Sequence, residues 1–161
     1  MTHTARRVAL AAALIGALVL PACGGDEDTG TLPDVRNSIV QISIAPNPVV
    51  ASQNTLTLAS TAAFRVILTE FNGLGGQVLF VSASVQDNAS GLQLAISYYD
   101  STALKVFVGK DRLEPLGTFE VPQTISYTSP DFGKAATLFV SIQLKDDRDN
   151  LINQTLVAKI E

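Results

Sequence analysis

Apolar and polar side chains alternate along the chain from about residue 36 to its end. In the first such run, Val40, Ile42 and Ile44 alternate with Gln41 and Ser43. A period of two is typical of β-strands that bury one face. Further runs of this kind cover 55–58, 64–68, 79–85, 92–98, 104–108, 119–127, 138–144 and 152–160. The pattern predicts about nine short strands and no long helix.

Residues that favour turns separate these runs. Pro46 and Pro48 end the first strand, because proline lacks the N–H donor that a paired strand needs. The segments 72–76, 87–91 and 146–150 are rich in Gly, Asn and Asp, which are typical of hairpin connections. Short strands at regular spacing, each with one apolar face, favour two antiparallel sheets packed face to face. We therefore expect an all-β, antiparallel β-sandwich over residues 36–161, with a jelly roll or a small barrel as the alternative.

The apolar faces of the runs give the predicted core. A one-residue slip of any strand would turn its apolar set toward solvent, so the pattern indicates which side chains are buried. The predicted core residues are Val40, Ile42, Val66, Leu68, Leu79, Val81, Leu94, Ile96, Val106, Val140, Ile142 and Leu156.

The first 22 residues have the pattern of an export signal. Arg6 and Arg7 precede the uncharged apolar run Val8–Leu20, and a small residue, Ala22, stands before Cys23. The apolar run is shorter than the roughly 20 residues that a membrane-spanning helix needs. A cleaved signal is therefore favoured over an uncleaved membrane anchor.

The end of this segment, Leu20-Pro21-Ala22-Cys23, resembles the lipobox of bacterial lipoproteins. The resemblance implies cleavage before Cys23, lipidation of Cys23 with diacylglycerol, and a mature protein held on a membrane by that lipid. Gly24 stands where retention in the inner membrane favours aspartate, so the resemblance implies an outer-membrane location in the cell envelope. An ordinary secretory signal is the alternative.

Residues 23–35 link this cysteine to the predicted domain. After Cys23, the stretch from Gly24 to Asp34 contains glycines and acidic residues with almost no apolar surface. Such a composition cannot offset the entropy lost on ordering, which predicts a flexible acidic tether.

The predicted sandwich, residues 36–161, resembles the immunoglobulin-like domains of bacterial surface and periplasmic proteins. The strand from Ile39 to Pro48 with its proline break, the turn Glu70-Phe71-Asn72-Gly73, and the strand and acidic turn from Val140 to Asn150 carry the resemblance. The two cysteines and the tryptophan of antibody domains are missing. The resemblance therefore implies the architecture and no binding residues.

Composition removes most catalytic chemistries. The 161-residue chain has one His and one Cys, and cleavage before Cys23 removes His3 together with Arg6 and Arg7. A mature chain without histidine has no Ser-His-Asp triad, no Cys-His pair and no H-E-x-x-H zinc site. No serine stands three residues before a lysine, so the S-x-x-K arrangement is missing too. We expect no enzyme activity and no cofactor.

The charge of the mature chain argues against nucleic acid as a partner. Loss of Arg6 and Arg7 leaves 9 basic against 15 acidic side chains, a formal charge of −6. Nucleic-acid binding draws on clustered Lys and Arg that neutralise phosphates, and the sequence has no such cluster.

Carboxylates are the remaining candidates for site chemistry. Glycoside hydrolysis needs two carboxylates about 5–10 Å apart. The candidates are Glu70, Asp100, Asp111, Glu114, Glu120 and Asp131, whose spacing predicts no common cleft. Separately, Asp147, Asp149 and Asn150 offer the hard oxygen ligands that calcium prefers. The alternative for these three is that Asp and Asn stabilise their own turn.

Two functional hypotheses remain. The first is a lipid-anchored cell-envelope protein whose immunoglobulin-like domain is a non-catalytic binding or structural module for an envelope protein or wall component. The second is a carboxylate-dependent envelope hydrolase. A cleft with converging carboxylates would favour the hydrolase, and an unpaired strand edge or an apolar patch would favour the binding module.

Overall fold

The computed structural model describes residues 37–130 and 133–161. The elements in chain order are β1 (Val40–Ala45), β2 (Ala51–Asn54), β3 (Ala59–Glu70), β4 (Gly76–Asp87), β5 (Gln93–Asp100), α1 (Ser101–Phe107), β6 (Arg112–Leu113), β7 (Thr118–Tyr127), β8 (Ala136–Asp146) and β9 (Leu151–Ile160). The predicted signal peptide, the predicted lipidation site Cys23 and the predicted tether lie outside the described residues. Within the described ranges, no helix has the length and apolar character needed to cross a membrane.

The strands form two antiparallel sheets that face each other. In the first sheet, β3 pairs with β7 on one edge and with β1 and β2 on the other. The second sheet has the order β5-β4-β8-β9, and β6 pairs with the start of β4. After its proline break, the chain also forms a parallel bridge from Val49 to Ile160 at the end of β9. This connectivity is that of an immunoglobulin-like sandwich, so the predicted fold class is confirmed.

The core lies between the sheets and follows the predicted period of two. Strand β7 alternates exposed and buried residues along its whole length, and β8 alternates nearly as regularly. Leu94 and Leu156 are partly buried and pack against the core. The predicted core residues that are buried are Val40, Ile42, Val66, Leu68, Val81, Val140 and Ile142.

Two β-bulges explain two errors in the predicted core. In β4, Val78 pairs with Leu144 and Phe80 with Gln143, so Leu79 is an extra residue and Val78 takes the buried position. In β5, Leu94 is the extra residue, because Gln93 and Ala95 pair with consecutive positions of β4. A one-residue insertion turns the following side chains to the opposite face. Ile96 consequently points to solvent, and its prediction as a core residue was wrong.

The predicted strand at 104–108 is a helix. The Asp100 side chain accepts a hydrogen bond from Ala103 N at 2.7 Å and caps the first turn of α1. Leu104 is buried and Val108 is partly buried, four residues apart on one helical face. Val106 is 73% exposed, so its prediction as a core residue was also wrong.

The predicted strand at 55–58 is a turn. The strand at this place is β2, which ends at Asn54, and the Asn54 side chain accepts hydrogen bonds from Leu56 N and Thr57 N. Leu58 has a positive φ of 54°. The local hydrogen bonds of an asparagine turn thus replace the strand that Leu56 and Leu58 suggested.

Candidate functional site

Several loops meet at one end of the sandwich. Glu70, one of the carboxylates considered for hydrolysis, and the three calcium candidates lie at this end. The turn after β3, the segment between α1 and β7, the turn after β8 and residues 37–38 all reach this end. Asp147 N donates to Gly75 O at 3.0 Å, and Glu70 N donates to Gly117 O at the same distance. An added Cβ at Gly76 would lie 2.6 Å from Lys145 O, so only glycine allows β4 to start this close to β8.

Glu70 organises two of these loops from a buried position. Its side chain is 1% exposed, at the end of β3. One carboxylate oxygen accepts from Asn72 N at 2.8 Å and from Ser38 Oγ at 3.1 Å. The other accepts from Gly73 N and Leu116 N, each at 2.8 Å. Both oxygens therefore serve as internal acceptors for the turn after β3 and for the loop before β7.

Asp146 has the same role in the turn after β8. One of its oxygens accepts from Arg148 N at 2.9 Å and Asn150 N at 2.8 Å. The other accepts from Ser38 N at 3.3 Å and from the Asn150 amide at 3.0 Å. Ser38 thus joins two buried carboxylates, donating its hydroxyl to Glu70 and its N–H to Asp146. Sequence reasoning missed Ser38, and no signal in the sequence marks it.

A third buried carboxylate, Asp87, stabilises a turn at the end of β4. It accepts from the N–H of Ser90 at 2.8 Å, from the hydroxyl of Ser90 at 2.6 Å and from the hydroxyl of Ser129 at 3.2 Å. Sequence reasoning placed Asp87 in a turn without giving it this role. The signal was available, because an aspartate at the end of an apolar run before Ser and Gly is typical of a side-chain-capped turn.

Hydrogen bonding sets the pKa values of these three carboxyls. Burial opposes ionisation of Glu70, but four backbone N–H groups stabilise its charged form and the net effect lowers its pKa. Burial also opposes ionisation of Asp146, whereas bonds from the side chain and N–H of Asn150 and from two further N–H groups lower its pKa. The hydroxyl and N–H of Ser90 lower the pKa of Asp87. A lowered pKa keeps each group ionised, which is the opposite of what a general acid near neutral pH requires.

The domain is expected to lose stability in acid. A group whose pKa is lower in the folded state stabilises the fold above its unfolded pKa, and this contribution is lost as the pH falls through the folded value. The loss should begin below pH 4.5, the ordinary value for Glu, and continue below 3.8, the ordinary value for Asp. Urea unfolding at pH 7, 5, 4 and 3 measures it. An unfolding free energy that stays constant from pH 7 to pH 3 would contradict the role of these carboxylates.

The calcium candidates lie together in the turn after β8, where other groups engage them. Asp147 accepts two hydrogen bonds from the Arg112 guanidinium, at 2.9 and 2.6 Å. Asp149 forms an ion pair with Lys145 at 2.6 Å. The Asn150 amide donates to Asp146. Across residues 37–130 and 133–161, no three His, Cys, Asp or Glu side chains are grouped so as to hold a metal ion, and calcium binding here stays a prediction.

The carboxylates considered for hydrolysis occupy separate places. Asp100 caps α1, Asp111 pairs with Lys105 at 3.1 Å, and Glu120 pairs with Arg65 at 3.1 Å. Glu114 lies 3.7 Å from Arg112. Asp131 lies outside the described residues. Asp111 also accepts a hydrogen bond from the Gln77 amide at 2.8 Å. In the part of the chain that the structure describes, none of these carboxylates shares a hydrogen-bond donor or a cation with Glu70.

A different surface is prominent on the outside of the β5-β4-β8-β9 sheet. Three neighbouring rows of side chains cross its centre, and in these rows only Asp100 is charged. In strand order the rows are Asp100-Phe80-Gln143-Asn153, Tyr98-Ser82-Ser141-Thr155 and Ile96-Ser84-Phe139-Val157. We call this surface the outer face. It carries exposed Ile96, Tyr98 and Val157 among hydroxyl and amide groups.

An aromatic pair lies on the outer face. The Phe80 and Tyr98 rings are stacked with centroids 5.6 Å apart. Tyr99, the next residue, points the other way and is partly buried against the core, with its ring 5.6 Å from that of Phe107. Of the adjacent tyrosines, one therefore faces solvent and the other faces inward, as strand alternation requires. Sequence reasoning did not place Phe80 beside Tyr98, because the pairing depends on the register between β4 and β5.

A shallow depression of about 720 Å³ lies beside the first half of β9. Its walls are Asn37, Ser38, Asp149, Asn150, Leu151, Ile152 and Asn153. The depression opens alongside the edge of β9, next to the loops that Glu70 and Asp146 organise.

No protein-family model and no curated protein sequence matches the chain. Solved structures do resemble it in fold. An ApaA protein from Bordetella pertussis has a TM-score of 0.55 and 12% identity, over 75% of this chain and 93% of that one. A structural-genomics target designated SoR45 has a TM-score of 0.55 and 6% identity, over 74% of this chain and 84% of that one.

A CARDB domain from Pyrococcus furiosus is also similar, with 15% identity over 81% of this chain and 98% of that one. Its TM-score is 0.37, which is too low to support an inference. At these identities, the two structures with a TM-score of 0.55 show the fold alone. The described part of the chain is an all-β, immunoglobulin-like sandwich.

Proposed function

We propose that this chain is an exported lipoprotein of the bacterial outer membrane, and that its immunoglobulin-like domain is a non-catalytic module that binds an envelope protein or a wall component. The observation that carries the proposal is the outer face. It presents exposed apolar and aromatic side chains in rows that contain one charged residue, Asp100. Exposed apolar surface on an otherwise acidic protein is typical of an interaction site.

The state of the carboxylates supports binding rather than hydrolysis. Ser38 donates to both Glu70 and Asp146, and each of these carboxylates has both oxygens occupied by internal donors. Hydrolysis by two carboxylates needs one of them protonated as a general acid. The lowered pKa of each residue favours the ionised form instead.

A pair of matched variants tests the binding surface. Tyr98→Lys places a charge in the centre of the outer face, whereas Thr124→Lys places one on the exposed side of β7 in the other sheet. We expect the full chain to bind one envelope fraction saturably, with at least a tenfold loss in Tyr98→Lys and no loss in Thr124→Lys. Equal loss in both variants would contradict a site on the outer face.

An activity assay tests the competing hypothesis on the same preparation. The full chain is incubated with envelope polysaccharides and peptides, beside the variants Asp111→Asn and Glu114→Gln. The proposal expects no turnover. Turnover that either substitution abolishes would establish the hydrolase and overturn the binding module.

The anchor has its own prediction, based on Leu20-Pro21-Ala22-Cys23. Wild-type protein is expected in the membrane fraction with a mature chain that begins at Cys23 and carries diacylglycerol, because two acyl chains suffice for stable residence. Cys23→Ser should remove the lipid and release the protein from the membrane. Mass spectrometry of the N-terminus and cell fractionation measure these outcomes. Membrane retention of Cys23→Ser, or an unmodified N-terminus elsewhere, would contradict lipidation.

A further inference from the structure

The outer edge of β9 is long and regular. All ten of its residues pair with β8 without a register shift. Its other edge is occupied only near the C-terminal end, where Val49 N donates to Lys159 O and Glu161 N donates to Val49 O. Just past the end of β9, Ala51 N also donates to Glu161 O at 2.8 Å. Within residues 37–130 and 133–161, no further backbone group bonds to the outer edge from Leu151 to Val157.

These bonds show which backbone groups face outward. The N–H and C=O of one residue in a strand point to the same edge, and those of the next residue point to the opposite edge. Since Lys159 and Glu161 face outward, the odd-numbered residues before them face outward too. Leu151, Asn153, Thr155 and Val157 therefore present four N–H and four C=O groups along an open edge.

The other edge strands have features that hinder the addition of a strand. β7 carries Pro122 and Glu120 in its middle. β5 is distorted by its bulge and is joined to β7 by the bond from Ser97 Oγ to Gln123 Oε1 at 2.8 Å. β1 has six residues and is followed directly by Pro46. Proteins protect edges with proline, charge and bulges, and β9 has none of these from Leu151 to Ala158.

The side chains of β9 are complementary to a second β9 that runs antiparallel to it. With a two-fold axis at Gln154, Leu151 lies opposite Val157 of the second copy, Asn153 opposite Thr155, and Ile152 opposite Leu156. Apolar residues thus meet apolar ones, and polar residues meet polar ones. At each end, Lys159 lies near Asp149 of the second copy; within one chain these two side chains pair with Glu161 and Lys145.

This register also covers exposed apolar surface. Leu151 is 59% exposed and Val157 is 60% exposed, both on the outer side of the sheet. A register centred on Thr155 would instead set Asn153 opposite Val157 and Leu151 opposite Lys159. The depression lined by Leu151, Ile152 and Asn153 lies beside the same half of β9.

We propose that the protein forms a symmetric dimer in which β9 pairs with β9 of a second copy across Gln154, joining the two five-stranded sheets into one continuous sheet. The contact is isologous, because each residue meets its counterpart in both directions. It closes both open edges at once and leaves the outer faces side by side.

A single cysteine at the axis tests the register. In this pairing the two copies of residue 154 form a non-hydrogen-bonded pair with Cα atoms about 4.5 Å apart, which is within disulfide reach. Full-length Gln154→Cys, made in the source cells and oxidised, should give a disulfide-linked dimer. Val157→Cys should not form this dimer, because in the proposed register residue 157 lies six positions from residue 157 of the second copy. The wild-type chain should not form it either. Equal disulfide crosslinking of Val157→Cys would contradict the proposed register. A crosslink from Gln154→Cys to a different envelope protein would contradict a second copy of this chain as the partner of the β9 edge.

A second experiment tests for the dimer without oxidation. Sedimentation of the full chain in detergent should give a dimer. Thr155→Pro should give a folded monomer, because the N–H that it removes faces the open edge rather than β8. Val157→Lys leaves the pairing with β8 intact and should weaken the dimer at least tenfold by placing a charge opposite Leu151. A monomeric wild type would overturn the proposal.

Discussion

Replacing Val140 by aspartate is expected to unfold the domain. Val140 is fully buried in the middle of β8, between Ala83 of β4 and Leu156 of β9. A buried charge without a partner costs several kcal/mol, on the scale of the roughly 5–15 kcal/mol that stabilise a whole domain. Circular dichroism and urea unfolding of the full chain measure the effect.

The neighbouring residue gives a matched control. Ser141 lies on the same strand but points to the outer face, where its hydroxyl is 3.3 Å from Thr155 Oγ1. Ser141→Asp adds the same charge on the solvent side, so we expect a cooperative unfolding transition close to that of the wild type. Near-normal stability of Val140→Asp would contradict the position assigned to β8 in the core.

Replacing Glu70 by glutamine is expected to destabilise the domain by about 3 kcal/mol, because it leaves buried N–H donors without an acceptor. Glutamine keeps the size of the side chain but has one acceptor oxygen where Glu70 has two. The amide nitrogen would then face either the N–H of Gly73 and Leu116 or the N–H of Asn72. Urea unfolding at pH 7 measures the difference.

Glu120→Gln is the control for this substitution. It makes the same chemical change at an exposed carboxylate of β7, which pairs with Arg65 on the neighbouring strand. Exposed ion pairs contribute about 0–1 kcal/mol, so little change is expected. A loss in Glu70→Gln no larger than that in Glu120→Gln would mean that Glu70 does not hold the loops together.

The sandwich could be predicted from sequence because burial of one face imposes a period of two. Along β7 and β8 the buried positions are apolar except for Gln123 and Asp146, and Val140 and Ile142 were predicted correctly. The bulges at Leu79 and Leu94 could not be predicted, since each depends on the register of the neighbouring strand. At each bulge, the extra residue shifts the alternation of buried and exposed positions by one. The sequence pattern therefore assigned a residue near each bulge to the wrong face of the sheet.

The helix α1 was missed because its apolar residues fit two periods. Leu104, Val106 and Val108 alternate as in a strand, but Leu104 and Val108 are also four residues apart, as on a helical face. Asp100 before Ser101 was a capping signal, and it would have favoured the helix.

The chemistry of the loops depends on contacts that the sequence does not contain. Glu70 and Asp146 are 76 positions apart, and Ser38 joins them from the segment just before β1. The turn after β8 was recognised as acidic, but the partners of Asp147 and Asp149 are Arg112 and Lys145. No sequence motif marks the outer face, because its rows of side chains form only when β5, β4, β8 and β9 pair in the sheet.

The most direct test of the central claim is photo-crosslinking from the outer face in intact cells. A photoreactive amino acid replaces Tyr98 in the full-length protein, and a second strain carries it at Thr124 on the other sheet. We predict one discrete product with an envelope component from position 98, no such product from position 124, and loss of the product when Ile96→Lys is added. The same product from both positions, or none from position 98, would contradict a binding module that acts through the outer face.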